Sequence, residues 1–260
     1  MKEFRTSRIF AKDGKAVIMA CDHAGFMGPV QGLGDPGALL DKAADAGVDA
    51  ILTTMGIARR YSDKFGNMGL MLRVDGGSSM RSPVMGDLHR IFSVEDALRL
   101  GADAVVCMGM IGFPEEPSSL KNVVELVSQA APWEMPVMAE MLVKGKDGAP
   151  VTIEDIGFAM RIGVELGADI IKTSYASPAE EYAGALKTCY RPVVVLGGEK
   201  AKSERDLLTS VADALKAGAK GVAIGRNVWQ HKDPGGVAKA LVRLVHEGIS
   251  VDEALKEIKI

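Results

Sequence analysis

The chain has 260 residues, 47% of them hydrophobic and 25% charged, which is the balance of a globular protein with a sizeable core and excludes a disordered or fibrous one. A formal net charge of −3 provides no basic field for a phosphodiester backbone, so nucleic acid is excluded as the main partner and any anion site must be local. No apolar run approaches the ~20 residues of a membrane span, and the opening MKEFRTSRIF lacks the apolar centre of a signal peptide, so a cytoplasmic protein with no membrane partner is expected.

Short apolar, often β-branched runs recur along the chain, each bounded by turn residues. In order they are AVIMAC (16–21), AILTTM (50–55), LMLRV (70–74), AVVCMG (104–109), PVMAEM (136–141), DIIKTS (169–174), PVVVLG (192–197) and GVAIGR (221–226). Continuous apolarity, in place of alternation, predicts parallel strands covered on both faces. Amphipathic segments lie between many of them. The stretches 152–167 and 203–218 predict helices, with Thr152 and Ser203 as N-caps and Gly167 and Gly218 as C-terminal stops. Ser250, with Glu253 three residues on, predicts a capping box for a short last helix.

The joint from helix to strand repeats as AGVDAI (46–51), LGADAV (100–105), LGADII (166–171) and AGAKGV (217–222), the mark of successive βα units in one sheet. Eight such strands in a chain of this length close into a (β/α)8 TIM barrel, one α/β domain over 1–260; a doubly wound open sheet is the structural alternative. Cys21, Cys107 and Cys189 are far apart in apolar stretches and read as reduced thiols.

In such barrels the active site lies at the carboxyl ends of the strands, so polar residues there are candidates for chemistry. Lys172 follows two isoleucines inside an apolar strand. Desolvation lowers a lysine's pKa and frees the amine to attack a carbonyl, whereas the structural alternative is an ion pair with a carboxylate of a neighbouring strand. Asp22 and Glu140 are the partners that topology brings nearest. Asp22 closes the first run and can transfer a proton or bind a hydroxyl, or else serve as a turn residue. His23 beside it holds substrate or the loop. Glu140, within PVMAEM, is expected to have a raised pKa suited to acid/base work near neutrality.

The loops after the seventh and eighth strands read LGGEK and AIGRN. Barrels often hold phosphate there, so Gly197, Gly198, Gly225 and Arg226 are assigned to one phosphate with Lys200 adding charge; the alternative is that the glycines only make tight turns. His23, His89, His231 and His246 are scattered without HxxxH or HxH spacing, and no P-loop or GxGxxG occurs, so neither a metal nor a cofactor is expected.

With these residues in place the chain resembles the class I aldolase group that includes archaeal-type fructose-bisphosphate aldolase, the aldolase-like synthase of the archaeal aromatic-amino-acid route and the autoinducer-2 phosphate thiolase. The resemblance runs from RIFAKDGKAVIMACDHAG (8–25) through GADIIKTSY (167–175) and LGGEK (196–200) to GVAIGRNVWQ (221–230). ADIIKTSY also resembles the lysine strand of deoxyribose-phosphate aldolase. The resemblance implies a β/α barrel, often a homo-oligomer, with Lys172 as the Schiff-base lysine, Asp22 beside the substrate carbon chain, and Gly198, Lys200, Gly225 and Arg226 on its phosphate.

One position departs from that pattern. Sugar-bisphosphate aldolases of the group carry a tyrosine at the end of the fifth strand, and this chain has Leu142 there. Glu140, two residues earlier and on the same strand face, is expected to take over proton transfer, with Tyr175 or Asp22 helping. The leading expectation is a Schiff-base aldolase that makes or breaks a C–C bond in a phosphorylated ketose or keto-phosphate. An acyl or ketol transferase, using coenzyme A or joining two carbonyl fragments, is the second reading. A phosphate-binding barrel without covalent lysine chemistry is the third.

Overall fold

The computed structural model describes residues 1–82, 88–198 and 201–259. Each of the eight apolar runs holds a strand: β1 Ala16–Ala20, β2 Ala50–Thr53, β3 Gly69–Arg73, β4 Ala104–Ile111, β5 Val137–Val143, β6 Ile170–Thr173, β7 Val193–Leu196 and β8 Gly221–Ile224. Every strand pairs in parallel with the next, and β8 returns to β1 through Ala16–Gly221 to Met19–Ile224. The sheet is a closed barrel, which removes the open-sheet alternative.

Strand alternation divides the apolar residues into two sets. Ile18, Ala20, Leu52, Met71, Val106, Met138, Ile170, Val194 and Ala223 fill the barrel interior in one cluster. Their neighbours Val17, Met19, Ile51, Leu72, Val105 and Ile171 belong to a second cluster, shared with the surrounding helices. Burial on both faces explains why the runs are apolar without interruption. Each buried Ile, Leu or Met contributes roughly 1.5–3 kcal/mol.

The predicted caps are present. Thr152 accepts from the Asp155 N–H and Asp155 reciprocates, opening the helix Ile153–Glu165. Ser203 accepts from the Asp206 N–H, Gly218 ends the helix Glu204–Ala217 at a φ of 115°, and Ser250 and Glu253 form the expected box.

The amino end of the barrel shows what the repeated joint does. Asp49, Asp103 and Asp169 each donate their own N–H to the carbonyl of a residue at the start of the preceding strand, namely Val17, Leu70 and Val137, the second, second and first residues of their strands. Each carboxylate then accepts the N–H of that same residue, at 2.6, 2.9 and 3.0 Å. The three carboxylates are neutralised in turn by His246 Nε2 (2.9 Å), Arg8 Nε (2.9 Å) and Lys2 Nζ (2.9 Å). At the fourth joint Lys220 keeps only the backbone bond, to the Val193 carbonyl. Ile9, fully buried, and Phe10 close the interior cluster at this end. No helix among the described residues is long and apolar enough to cross a membrane.

Candidate active site

Extending the inward-facing alternation by one step, past Ala20, Met71, Met138 and Ile170, reaches Asp22, Arg73, Glu140 and Lys172. All four are buried, at 4–7% relative exposure, so a ring of charge sits directly on the apolar interior. Charges are buried at this depth only when paired. Register makes Glu140 and Lys172 direct neighbours on β5 and β6, and Lys172 Nζ lies 2.8 Å from Glu140 Oε1. The other Glu140 oxygen accepts from Arg73 Nη2. Arg73 also donates through Nε to Asp22 Oδ2 (2.8 Å) and through Nη1 to Asp75 Oδ1 (3.3 Å). Asp75 Oδ2 accepts the Met108 N–H at 2.7 Å.

These contacts correct the expectation for Glu140. Burial does push its carboxyl up, but Lys172 and Arg73 together outweigh burial and hold it below the ordinary glutamate value. In this state Glu140 is an ionised carboxylate, and not a neutral acid. Asp22 follows the same pattern more strongly. Burial raises it, while Arg73, His23 and Lys172 depress it far below the usual range.

His23 Nδ1 lies 3.3 Å from Asp22 Oδ1, outside hydrogen-bond geometry, with its ring edge-on to Trp229. It also abuts the β8 turn, because a Cβ on Gly225 would come within 2.9 Å of His23 Cε1 and 2.5 Å of the Ala20 carbonyl. Gly197 is equally confined, by Ile224 Cγ2 at 2.8 Å, and Gly198 has a φ of 59°. Packing and backbone alone therefore require these three glycines. What joins the two loops is polar: Arg226 Nη2 donates to the Gly198 carbonyl (2.8 Å) and Asn227 Nδ2 to the Gly197 carbonyl (2.9 Å). Lys200 lies outside the described residues.

Tyr175 is not in the site. It follows the end of β6 and packs edge-on against Tyr182 among the outer cluster, away from Glu140. Leu142 does continue the inward face of β5 and pairs in register with Met110 on β4, which gives this wall of the mouth an apolar surface. Arg73, the second cation on Glu140, is a site residue that the sequence expectations did not include. The arginine inside LMLRV was a visible signal of the same kind as the lysine inside DIIKTS.

No cluster of metal-ligating side chains occurs among the described residues. A closed β/α barrel with a lysine sunk in its carboxyl end and paired to a carboxylate on the adjacent strand has its charged cluster where barrel enzymes carry their active sites. The chain belongs to the DeoC/LacD family of aldolases, whose pattern matches residues 16–231. It is 34% identical to the class 1 fructose-bisphosphate aldolase of Thermoproteus tenax over 95% of this chain and 96% of that one. It is 32% identical to the 2-amino-3,7-dideoxy-D-threo-hept-6-ulosonate synthase of Halobacterium salinarum, over 98% and 95%. An archaeal fructose-1,6-bisphosphate aldolase, solved with its catalytic lysine bound to the carbinolamine intermediate of its substrate, superimposes with a TM-score of 0.86. That structure is 33% identical, over 94% of this chain and 99% of the other. The protein is an aldehyde-lyase of the Schiff-base-forming, class I type.

Proposed function

We propose that Lys172 is the Schiff-base lysine and that the substrate is a phosphorylated ketose or keto-phosphate, anchored by the β7 and β8 loops through the backbone of Gly197, Gly198 and Gly225 with Arg226 and Lys200. The observation that carries this reading is the Lys172–Glu140 contact at the carboxyl end of the barrel, next to those loops. Passing one proton across it leaves a neutral amine and a carboxylic acid. The amine adds to the ketone carbon to give a carbinolamine. Glu140 returns its proton to the departing hydroxyl, and loss of water leaves the iminium. The carboxylate so regenerated takes the proton of the β-hydroxyl. The C–C bond then breaks, its electron pair neutralises the iminium as an enamine, and an aldehyde departs. Asp22 Oδ1, not used by Arg73, accepts a substrate hydroxyl, and His23 borders the same space.

Cyanoborohydride with dihydroxyacetone phosphate or another keto-phosphate should leave a stable adduct on Lys172, read by mass spectrometry. Absence of an adduct with every keto-phosphate tried would overturn the assignment. Leu142, in place of the group's tyrosine, favours a second reading, in which the same lysine passes an acyl or ketol fragment to coenzyme A or a second carbonyl compound. An acyl-thioester or joined product, in place of a free aldehyde, would select it. The proposal takes 1–260 as one barrel domain acting in the cytoplasm as a homo-oligomer, in keeping with three free cysteines.

A further inference from the structure

We infer that Arg73 is a positioning residue for the lysine chemistry: by binding Asp22, Asp75 and Glu140 at once, it fixes which Glu140 oxygen meets Lys172 and keeps that carboxylate available as the proton acceptor. This rests on the reading of Lys172 above.

Arg73 is 7% exposed, and each of its three guanidinium nitrogens is already engaged with a protein carboxylate, just after β1, on β5 or in the segment after β3. It therefore has little left to offer a substrate. What it offers is geometry. A guanidinium is a flat, rigid fork, so carboxylates on three of its edges are held at set angles to one another. With one Glu140 oxygen on Arg73, the other is presented to Lys172, its neighbour in register.

The charge balance leads to the same role. Glu140 faces Lys172 on β6, Arg73 on β3, Asp22 just after β1, and Asp75 behind Arg73, with His23 beyond Asp22. Two cations thus serve three carboxylates. Asp75 is the one that burial pushes up, offset only in part by Arg73 and the Met108 N–H and reinforced by Glu140. Removing Arg73 would leave three carboxylates around one lysine, and Glu140 would protonate at higher pH. A protonated Glu140 cannot take the proton that Lys172 must lose.

The test follows adduct formation against pH in the unaltered protein, Arg73→Met and Arg73→Lys. In Arg73→Met the acid limb should move up by about one to three pH units, the range for loss of a close opposite charge. In Arg73→Lys it should return to within about half a unit, because the charge is restored, yet kcat should fall roughly tenfold or more with KM changed less than about threefold, because the fork is not. An unmoved acid limb in Arg73→Met, or a raised KM at constant kcat, would overturn the inference. Should Arg73→Met fail to fold, Arg73→Lys decides alone, and a kcat equal to the original would overturn it. If the unaltered protein forms no adduct, the reading of Lys172 fails instead. The protonation of Glu140 can then be followed directly by infrared spectroscopy of protein carrying 13C-labelled glutamate. There, the same upward shift in Arg73→Met supports the role of Arg73, and an unchanged midpoint refutes it.

Discussion

The two ends of the barrel both bury carboxylates beside strand termini, yet they use them in opposite ways. At the amino end Asp49, Asp103 and Asp169 each accept a backbone N–H, and each has a cation of its own drawn from the N-terminal segment or the C-terminal helices. His246 also meets Asp13, but no two of the three joints share a cation, so each joint is a separate fastening. At the carboxyl end Asp22, Asp75 and Glu140 compete for one guanidinium, and Glu140 divides itself between Arg73 and Lys172. Each amino-end carboxylate has a backbone N–H and a single cation as partners, whereas Glu140 is bound to two ionisable side chains and can change its proton when either of them does. On the proposed function, the same residue types make structure at one end and reactivity at the other.

The sharpest way to break this comparison is to remove Lys172. Lys172→Met should lower turnover by roughly five orders of magnitude, as loss of a nucleophile does. Its thermal midpoint should stay close to the original, because Glu140 keeps Arg73; an aldolase assay beside a melting curve measures both. Glu140→Gln should lower kcat by roughly two to four orders with the barrel intact, since an amide cannot accept the lysine proton. A rate near that of the original would show that another group moves it.

At the other end the effects should fall on stability. Asp103→Ala deprives the Leu70 N–H and Arg8 of their partner and should cost about 3 kcal/mol in urea unfolding, with turnover per folded molecule unchanged. A loss of specific activity would mean that the two ends are coupled.

The smallest effect separates the ends by pH. His246 is held above its ordinary pKa chiefly by Asp49, with Asp13 adding to it against the opposing effect of burial. A group raised on folding stabilises most below its unfolded value, near 6.5, and that contribution is lost as pH rises through the raised value. Asp22 and Glu140 are depressed on folding, so theirs is full above the unfolded carboxyl range and is lost as pH falls. Melting curves from pH 5 to 9 should show His246→Gln losing stability relative to the original at the acid end of that range and converging with it at the alkaline end. A constant difference would mean that the histidine does not titrate there.

Much of this was legible in the chain. Parallel strands covered on both faces must be apolar throughout, which is why all eight were visible as runs, and glycine stops at Gly167 and Gly218 marked where helices hand over to strands. The repeat was visible as well, but not its purpose, because the partner of Asp103 lies 33 residues back at Leu70 and only the barrel brings them together. Lys172 was found by its conflict with its neighbours; Arg73 presents the same conflict, and passed as part of an apolar run. The wrong sign for Glu140 followed from that omission, since burial was weighed without the second cation. Tyr175 lies past the end of β6, where strand alternation no longer fixes a side chain's direction, so only the packing against Tyr182 sets it aside.

The placing of Glu140 opposite Lys172 has a further consequence. Both sit within hydrogen-bonded strands, paired in register, so the first proton transfer requires no loop to close and no segment to order. Reactivity and selectivity are thereby built into different materials. On the proposed mechanism the nucleophile stands within a hydrogen-bonded strand, while Leu142 and the β7 and β8 loops border it as a rim. Rebuilding that rim to admit a new carbonyl compound should leave the lysine primed, which makes the barrel a natural recipient for grafted specificity.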